Sequence, residues 1–483
     1  MSTEKATLKD GRSVEFIPKM IGEGGMKRVF FTADKQSVLC FFKNQNVVRD
    51  PAYTARLEAI LGKYNPTADP RVGAWFADRF CWPTGIVIQP EFGLMTPAYP
   101  SNYFFASGPF KGKEKEGRWF SSPKLRKMLP PNETGNFLTY LQLCKRMAQA
   151  VRKMHMTGLA HSDLSSRNVL VDPVIGKAVV IDIDSLVVPG LYPPDVLGTP
   201  GYIAPEVLKT QGLAPGDPKK NLPQANTDLH ALAVLVYEYL LRRHPLRGEK
   251  VNATTAEEDE RLSMGEKALF IEHPTDKSNY PNGRNAPLIK VACCAQGPYL
   301  PKIFQQAFVD GLHNPSARPR AGDWERALYL SDDLLMPCGN ASCDAKWFIY
   351  DGKSPKPACP WCGWKLKTPI PVLDFHYAPR KGNYIAENHC VVGWFNGPRN
   401  LYKWHVFNHI KPVEGVDVAP QARLAFHQET NQWLLWNLEL TSMVSPAGNP
   451  VPNGRPTAVK DGDEVVLSKE DRGRLISVRM VGT

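Results

Sequence analysis

The sequence predicts an α+β protein built as a two-lobed body, a small cysteine-rich unit and an all-β tail. Three observations predict it. Short β-patterned runs dominate the first hundred residues and long helical runs follow, the order of an α+β body rather than of an alternating α/β sheet. Four of the ten cysteines fall between residues 338 and 362. Beyond about residue 370 the pattern is β again, broken by turns rich in Gly, Pro and Asn. A length of 483 residues is too great for one core, and the expected boundaries are 1–335 for the body (lobes about 10–98 and 99–335), 336–370 for the cysteine-rich unit and 371–483 for the tail.

In chain order, "SVEFIPKMI", "RVFFTA" and "SVLCFFKN" read as strands, and "DPAYTARLEAILGKY" as a helix with Asp50 as its cap and Pro51 in the first turn. "GIVIQP" and "GLMTPAY" read as short buried strands. Residues 100–135, rich in Pro, Gly and Lys, read as loop. "NFLTYLQLCKRMAQAVRKMHMTG" has helical periodicity and stops at Gly158. "AVVIDIDSLVV" is a strand running into a turn. "NTDLHALAVLVYEYLLRRHPL" is apolar on every side, so it belongs in a core.

Composition narrows the function. A hydrophobic fraction of 43% and a charged fraction of 22% describe a globular chain rather than a disordered one. The formal charge of +11 favours anionic partners. The first residues are polar, with no secretory apolar stretch, and no apolar run is long enough to span a bilayer. The scattered remaining cysteines do not form a dense disulfide framework, so a reducing, cytoplasmic setting is expected.

One order of motifs points to phosphate chemistry. "IGEGGMKRVFF" is a Gly-rich turn between two strands, whose backbone amides can approach phosphates at Gly22, Gly24 and Gly25, with Val29 on the return strand. "VLCFFK" ends in Lys43, expected to hold phosphates when positioned by Glu58 of the next helix. In "HSDLSSRN", Asp163 can accept a hydroxyl proton, and Asn168, five residues on, can bind Mg²⁺. Asp182 of "VVIDID", fourteen positions beyond Asn168, supplies a second oxygen ligand. "GTPGYIAPE" and "NTDLHALAVLVYEYLL" follow in the same order.

Across roughly residues 10–330 this set resembles the eukaryotic-like protein kinases. The resemblance implies an ATP-dependent phosphotransferase using Mg²⁺ or Mn²⁺, with protein substrates. It implies an ion pair between Glu206 and Arg318, and Asp228 as the anchor of the catalytic-loop backbone. It also places Met95 behind the adenine and "TPAY", with Thr96 and Ala98, at the hinge. The departures are informative. The third glycine of the phosphate loop is Lys27, the arginine before the catalytic aspartate is Ser162, and the following lysine position is Ser165, with Arg167 as a substitute positive charge. "DFG" is "DID", so Asp184 adds a second carboxylate beside the Mg²⁺ ligands. Thr199 in "GTPGY" is of the Ser/Thr type. The motifs "HSDLSSRNVLVDP", "DIDSLVVPG" and "GTPGYIAPEV" are also similar to the bacterial kinases of the tellurium-resistance-associated TerY-P triad. That likeness implies a von Willebrand A-type protein and a PP2C-type phosphatase as partners in bacterial signalling.

Cys338 and Cys343 have four residues between them and Cys359 and Cys362 have two, each pair on a tight turn. Such spacing suits a structural Zn²⁺ ribbon. The tail, through "QARLAFHQETNQWLLWNLE", "NPVPNGRP", "VKDGDEVVLS" and "GRLISVRMV", resembles a forkhead-associated β-sandwich. Arg423 keeps the phosphate-binding position, but the serine and histidine beside it are Ala422 and Ala425. On this pattern a plain protein-docking sandwich is at least as well supported as a phosphopeptide reader. The leading expectation is an active Ser/Thr protein kinase. The alternatives are a pseudokinase scaffold, motivated by Lys27, Ser162 and Ser165, and a nucleic-acid-binding module, motivated by the charge and the ribbon. Structural ribbons are the commoner use of such cysteines, so nucleic acid is not among the expected partners.

Overall fold

The computed structural model describes residues 2–46, 50–191, 198–214, 216–283, 286, 289–380, 382–412 and 419–482. The chain forms two compact units, one of residues 1–135, 142–280 and 307–321, the other of residues 136–141, 281–306 and 322–483.

The first unit begins with a closed barrel of β1 (Glu4–Leu8), β2 (Ser13–Glu23), β3 (Lys27–Thr32), β4 (Ser37–Phe42), β5 (Gly85–Gln89) and β6 (Gly93–Pro97), in the order β1-β2-β3-β4-β6-β5. Its interior is filled by Ala6, Leu8, Phe16, Leu39, Phe41, Val87 and Met95. The helix α1 (Pro51–Leu61), capped by the Asp50 side chain on Ala52 N–H, packs Leu57 against Phe42, Ile86, Phe92 and Leu94 on the other face of the sheet. Strand β4 is therefore covered on both faces. The short helices α2 (Gly73–Ala77), α3 (Arg118–Ser121) and α4 (Pro123–Arg126) interrupt the segments around the barrel, two of them in the stretch expected to be loop.

The helical part of this unit is built around α5 (Phe137–Met156) and α7 (Ala225–Leu241). The chain leaves α5 through Gly158 at φ +81°, a left-handed conformation that glycine adopts without strain. Two small ribbons carry the intervening motifs. β7 (Ala160–His161) pairs with β10 (Leu186–Val187), and β8 (Val169–Asp172) pairs with β9 (Lys177–Val180). Helices α6 (Pro205–Thr210) and α8 (Ala256–Met264) follow.

The second unit contains α9 (Leu300–Gln305), α10 (Ala321–Asp333) and the ribbon of β11 (Leu335–Pro337) with β12 (Trp347–Ile349). Two four-stranded antiparallel sheets complete it. One has the order β14-β13-β20-β19, from β13 (Ile370–Arg380), β14 (Asn383–Val392), β19 (Glu464–Val466) and β20 (Arg474–Val481). The other has the order β15-β16-β17-β18, from β15 (Arg399–Leu401), β16 (Ala422–His427), β17 (Gln432–Asn437) and β18 (Pro456–Val459). The short helix α11 (Lys403–Val406) follows β15. Among the described residues no helix is long and apolar enough to cross a membrane.

Candidate active site

Hairpin register builds the centre of the site. Val169 lies opposite Val180 in the β8–β9 ladder, so Asn168 and Ile181 meet just beyond it, and Ile181 N–H donates to Asn168 O at 3.0 Å. Two residues distant in sequence are thereby brought side by side, and Asp182 turns out of the ladder at φ +63°. Asn168 Nδ2 donates to the Asp163 carbonyl at 2.8 Å and to Asp163 Oδ2 at 2.9 Å. Thr199 N–H donates to Asp163 Oδ1 at 2.5 Å. The Asp163 carboxylate is therefore aimed by two fixed donors. Asp228, buried in the first turn of α7, accepts from His161 N–H at 2.8 Å and contacts His155 Nε2 at 2.9 Å, fastening the loop from beneath. Ser162 Oγ donates to Ser185 O at 2.7 Å and ties the same loop to the segment after Asp182. Arg318 grips Glu206 through two bonds of 2.7 Å, and its side chain is 1% exposed. Both contacts that the kinase resemblance implied for Asp228 and Glu206 are present.

Two adjoining cavities of about 600 and 510 Å³ open above this loop. Lys27, Tyr99, Glu116, Arg118, Asp182, Asp184 and Gly24 line both. Gly22, Val29 and Thr96 line the first; Gly25, Asp163, Arg167 and Asn168 line the second. The volumes are those of ordinary small-ligand sites. Ten of the residues singled out in the sequence therefore converge here: Gly22, Gly24, Gly25, Val29, Thr96, Asp163, Arg167, Asn168, Asp182 and Asp184.

Four do not. Lys43 is exposed and pairs with Glu23 at 2.7 Å. Glu58 is exposed and pairs with Lys9, so the expected Lys43–Glu58 pair is absent. Met95 fills the barrel interior with Leu39 and Phe41, while its neighbours Leu94 and Thr96 face the cavity. The amide of Ala98 is taken by Gln36 O at 3.0 Å, and Ala98 lines neither cavity. Strand parity explains the placement of both Lys43 and Met95. Side chains alternate between faces, and Cys40, which faces the cavity, and Lys43 are an odd number of residues apart, as are Thr96 and Met95.

Lys27 occupies the site instead. Its Nζ bonds Asp182 Oδ1 at 2.8 Å and Asp184 Oδ1 at 2.6 Å. Burial pulls the Lys27 pKa down, but Asp184 and then Asp182 outweigh it and hold the ammonium above the ordinary lysine range. Burial, reinforced by Asp182, raises the Asp184 pKa against the pull of Lys27, whereas for Asp182 the attraction of Lys27 outweighs burial and the pKa is lowered. Tyr53 of α1 donates to Asp184 Oδ2 at 3.3 Å. In the sequence Lys27 stands out as the replaced third glycine, which adds charge near the phosphates, but nothing there marks its pairing with Asp182 and Asp184 or the part of Tyr53.

In the second unit the four thiols of Cys338, Cys343, Cys359 and Cys362 lie within 4.8 Å of one another, with Sγ···Sγ separations of 3.5 Å for Cys338–Cys362 and 3.9 Å for Cys343–Cys359. Four thiolates around one tetrahedral Zn²⁺ sit about 3.8 Å apart, given a Zn–S bond of about 2.3 Å, so this donor set fits zinc. A second cluster joins Asp333 to His389 Nε2 at 2.9 Å and His405 Nε2 at 3.1 Å. Here a metal fits poorly. Tyr402 N–H donates to His405 Nδ1 at 2.8 Å, which leaves the ring hydrogen on Nε2, facing Asp333. Arg423 lies within β16, and its Nε donates to Asn400 Oδ1 on β15 at 3.0 Å.

Comparison with known proteins bears on the stretch that contains the first of these sites. The family model described as protein kinase domain matches residues 124–299, the stretch that holds Asp163, Asn168, Asp182, Glu206 and Asp228. This supports a protein kinase, a phosphotransferase that uses ATP with a divalent metal and acts on protein substrates. Among solved structures, the Toxoplasma gondii specific rhoptry antigen kinase domain is similar at 14% identity over 52% of this chain and 72% of that one, with a TM-score of 0.36, a distant likeness. No curated protein matches the chain.

Proposed function

We propose that this chain is a Ser/Thr protein kinase that transfers the γ-phosphate of Mg²⁺·ATP (or Mn²⁺·ATP) to protein hydroxyls in bacterial signalling. The observation that carries the reading is the convergence of Asp163, Asn168 and Asp182 on one cavity roofed by the Gly-rich hairpin. Asp163 is held by Thr199 N–H and Asn168 Nδ2, an arrangement suited to orienting an acceptor hydroxyl and taking its proton. The amide oxygen of Asn168 and the carboxylate of Asp182 are the groups for the divalent ion, which when bound neutralises phosphate charge. The hairpin backbone and the cavity walls hold the nucleotide and exclude water, and Arg167 at the rim adds positive charge towards the acceptor.

The remaining parts are read accordingly. The four cysteines hold one structural Zn²⁺ as a ribbon. The C-terminal sheets form a forkhead-associated-like sandwich that docks proteins, with a von Willebrand A-type protein and a PP2C-type phosphatase as partners. Ala422 and Ala425 leave Arg423 without the hydroxyl and imidazole that phosphothreonine reading needs. Elemental analysis of protein prepared without chelator should find about one zinc per chain, and finding none sinks the ribbon.

The test of the kinase reading is labelled-phosphate transfer from ATP to the chain itself and to a general acceptor protein. Asp163→Asn should leave ATP affinity nearly unchanged and lower turnover by roughly 10²–10⁴-fold, the usual contribution of such a group. Equal transfer by wild type and Asp163→Asn would instead favour the scaffold reading.

A further inference from the structure

We propose that Lys27, on the return strand of the Gly-rich hairpin, is the residue that holds the nucleotide phosphates, and that Asp184 rather than a helix carboxylate positions it. This rests on the kinase reading for the identity of the nucleotide, not for the geometry. A phosphate-holding lysine must emerge on the cavity face of the sheet and be steadied by a carboxylate. Lys43 fails the first: it emerges beyond the end of β4 and lines neither cavity, and the carboxylate it pairs with, Glu23, is itself about half exposed.

Lys27 meets both. In the β3–β4 ladder it stands directly opposite Phe42, and Val29, two residues on, stands opposite Cys40. Directly opposed residues project from the same face, so Lys27 shares a face with the cavity-lining Val29 and Cys40. Its Nζ lies over the Phe42 ring, 5.3 Å from the centroid. The ammonium thus reaches the space that a lysine at position 42 would reach from the neighbouring strand. Gly24 N–H donates to Lys27 O at 2.9 Å, which ties the lysine to the hairpin tip over the cavity.

The two carboxylates on Lys27 are not equivalent. Asp184 is 11% exposed and is itself held by Tyr53 Oη from α1, so it is the fixed partner. Asp182 is 42% exposed, and its bond to Lys27 is the exchangeable one. Helix α1 therefore communicates with the lysine through Tyr53 and Asp184, in place of a direct ion pair from Glu58. The second aspartate of "DID" acquires a role that its sequence position alone does not suggest.

An acyl-phosphate derivative of ATP, which transfers its acyl group to the lysine amine nearest the terminal phosphate and releases ATP, tests this on the wild-type chain. Mass spectrometry should find Lys27 acylated, with at least a tenfold loss of labelling when Mg²⁺·ATP competes, and Lys43 unprotected. ATP-protected labelling of Lys43, or of neither lysine, overturns the proposal. Titration with a fluorescent ATP analogue gives the second measurement. Lys27→Met should weaken binding at least tenfold while Lys43→Met stays within threefold of wild type, and the reverse order overturns the proposal. If Lys27 is labelled and protected but wild type transfers no phosphate, the kinase reading fails and the lysine assignment stands.

Discussion

Asp184 and Asp333 are both buried carboxylates with basic partners, and their surroundings differ in one respect. Asp184 shares Lys27 with Asp182, and all three line an open cavity. Two carboxylates and one ammonium leave a local excess of negative charge in a place where burial makes charge costly. Asp333 is met by His389, by His405 and, at 3.8 Å, by Arg399. The rings of Phe375, His389 and His405 stack beside it, with His389 and His405 centroids 5.7 Å apart. Burial raises the Asp333 pKa, but the partners outweigh it and hold the group far below the ordinary carboxylate range. A buried charge whose donors are all supplied by the fold is a structural fastening. A buried charge cluster left unbalanced at a cavity is a place for a ligand.

That contrast is broken most directly at Asp333. Asp333→Ala should cost about 3–5 kcal/mol, the usual penalty for removing one partner of a buried pair, and should leave nucleotide affinity unchanged. Thermal unfolding and nucleotide titration of the intact chain check the two halves of this expectation. A loss of nucleotide binding with unchanged unfolding would reverse the roles assigned to the two clusters.

Acid should produce a smaller effect in the same place. Burial lowers the His405 pKa below the ordinary histidine value of 6.5 in spite of Asp333. In that window the unfolded chain binds more protons than the folded one, so stability falls as pH falls below about 6.5. A further loss is expected below 3.8, where Asp333 is protonated in the unfolded chain but not in the folded one. Melting temperatures between pH 8 and pH 5 should decline, and His405→Gln should flatten the decline. An unchanged slope in that variant would remove His405 from the account.

Asp184→Asn should have the smallest effect on stability, within about 1 kcal/mol, because Lys27 keeps Asp182 and one like-charge repulsion disappears. Its effect on phosphoryl transfer should nonetheless be large. Severe unfolding of this variant would make the Lys27 cluster a structural fastening like that around Asp333, and the distinction between the two would fall.

The sequence by itself determined what is local. The spacing from Asp163 to Asn168 to Asp182 placed three groups on a loop and a hairpin end, the 3.6-residue period marked α5 and its glycine stop, and unbroken apolarity marked α7 as buried. Paired cysteines announced their own cluster. Only the tertiary structure decided which face of a strand looks into the cavity. Strand β4, "SVLCFF", is covered on one face by the barrel interior and on the other by α1 and the cavity wall, so it carries no polar alternation to reveal its orientation. The face towards which Lys43 continues β4 is hidden for that reason, the equally apolar β6 hides that of Met95 in the same way, and Lys27 stands out only through its cross-strand register with Phe42. Strand β1 has only Ala6 and Leu8 buried, too few to announce a strand, yet it closes the barrel. In the Asp333 cluster both imidazoles come from more than fifty residues beyond the carboxylate, and no period or spacing rule reaches across that distance; only packing brings a buried carboxylate to the two imidazoles that make its burial tolerable.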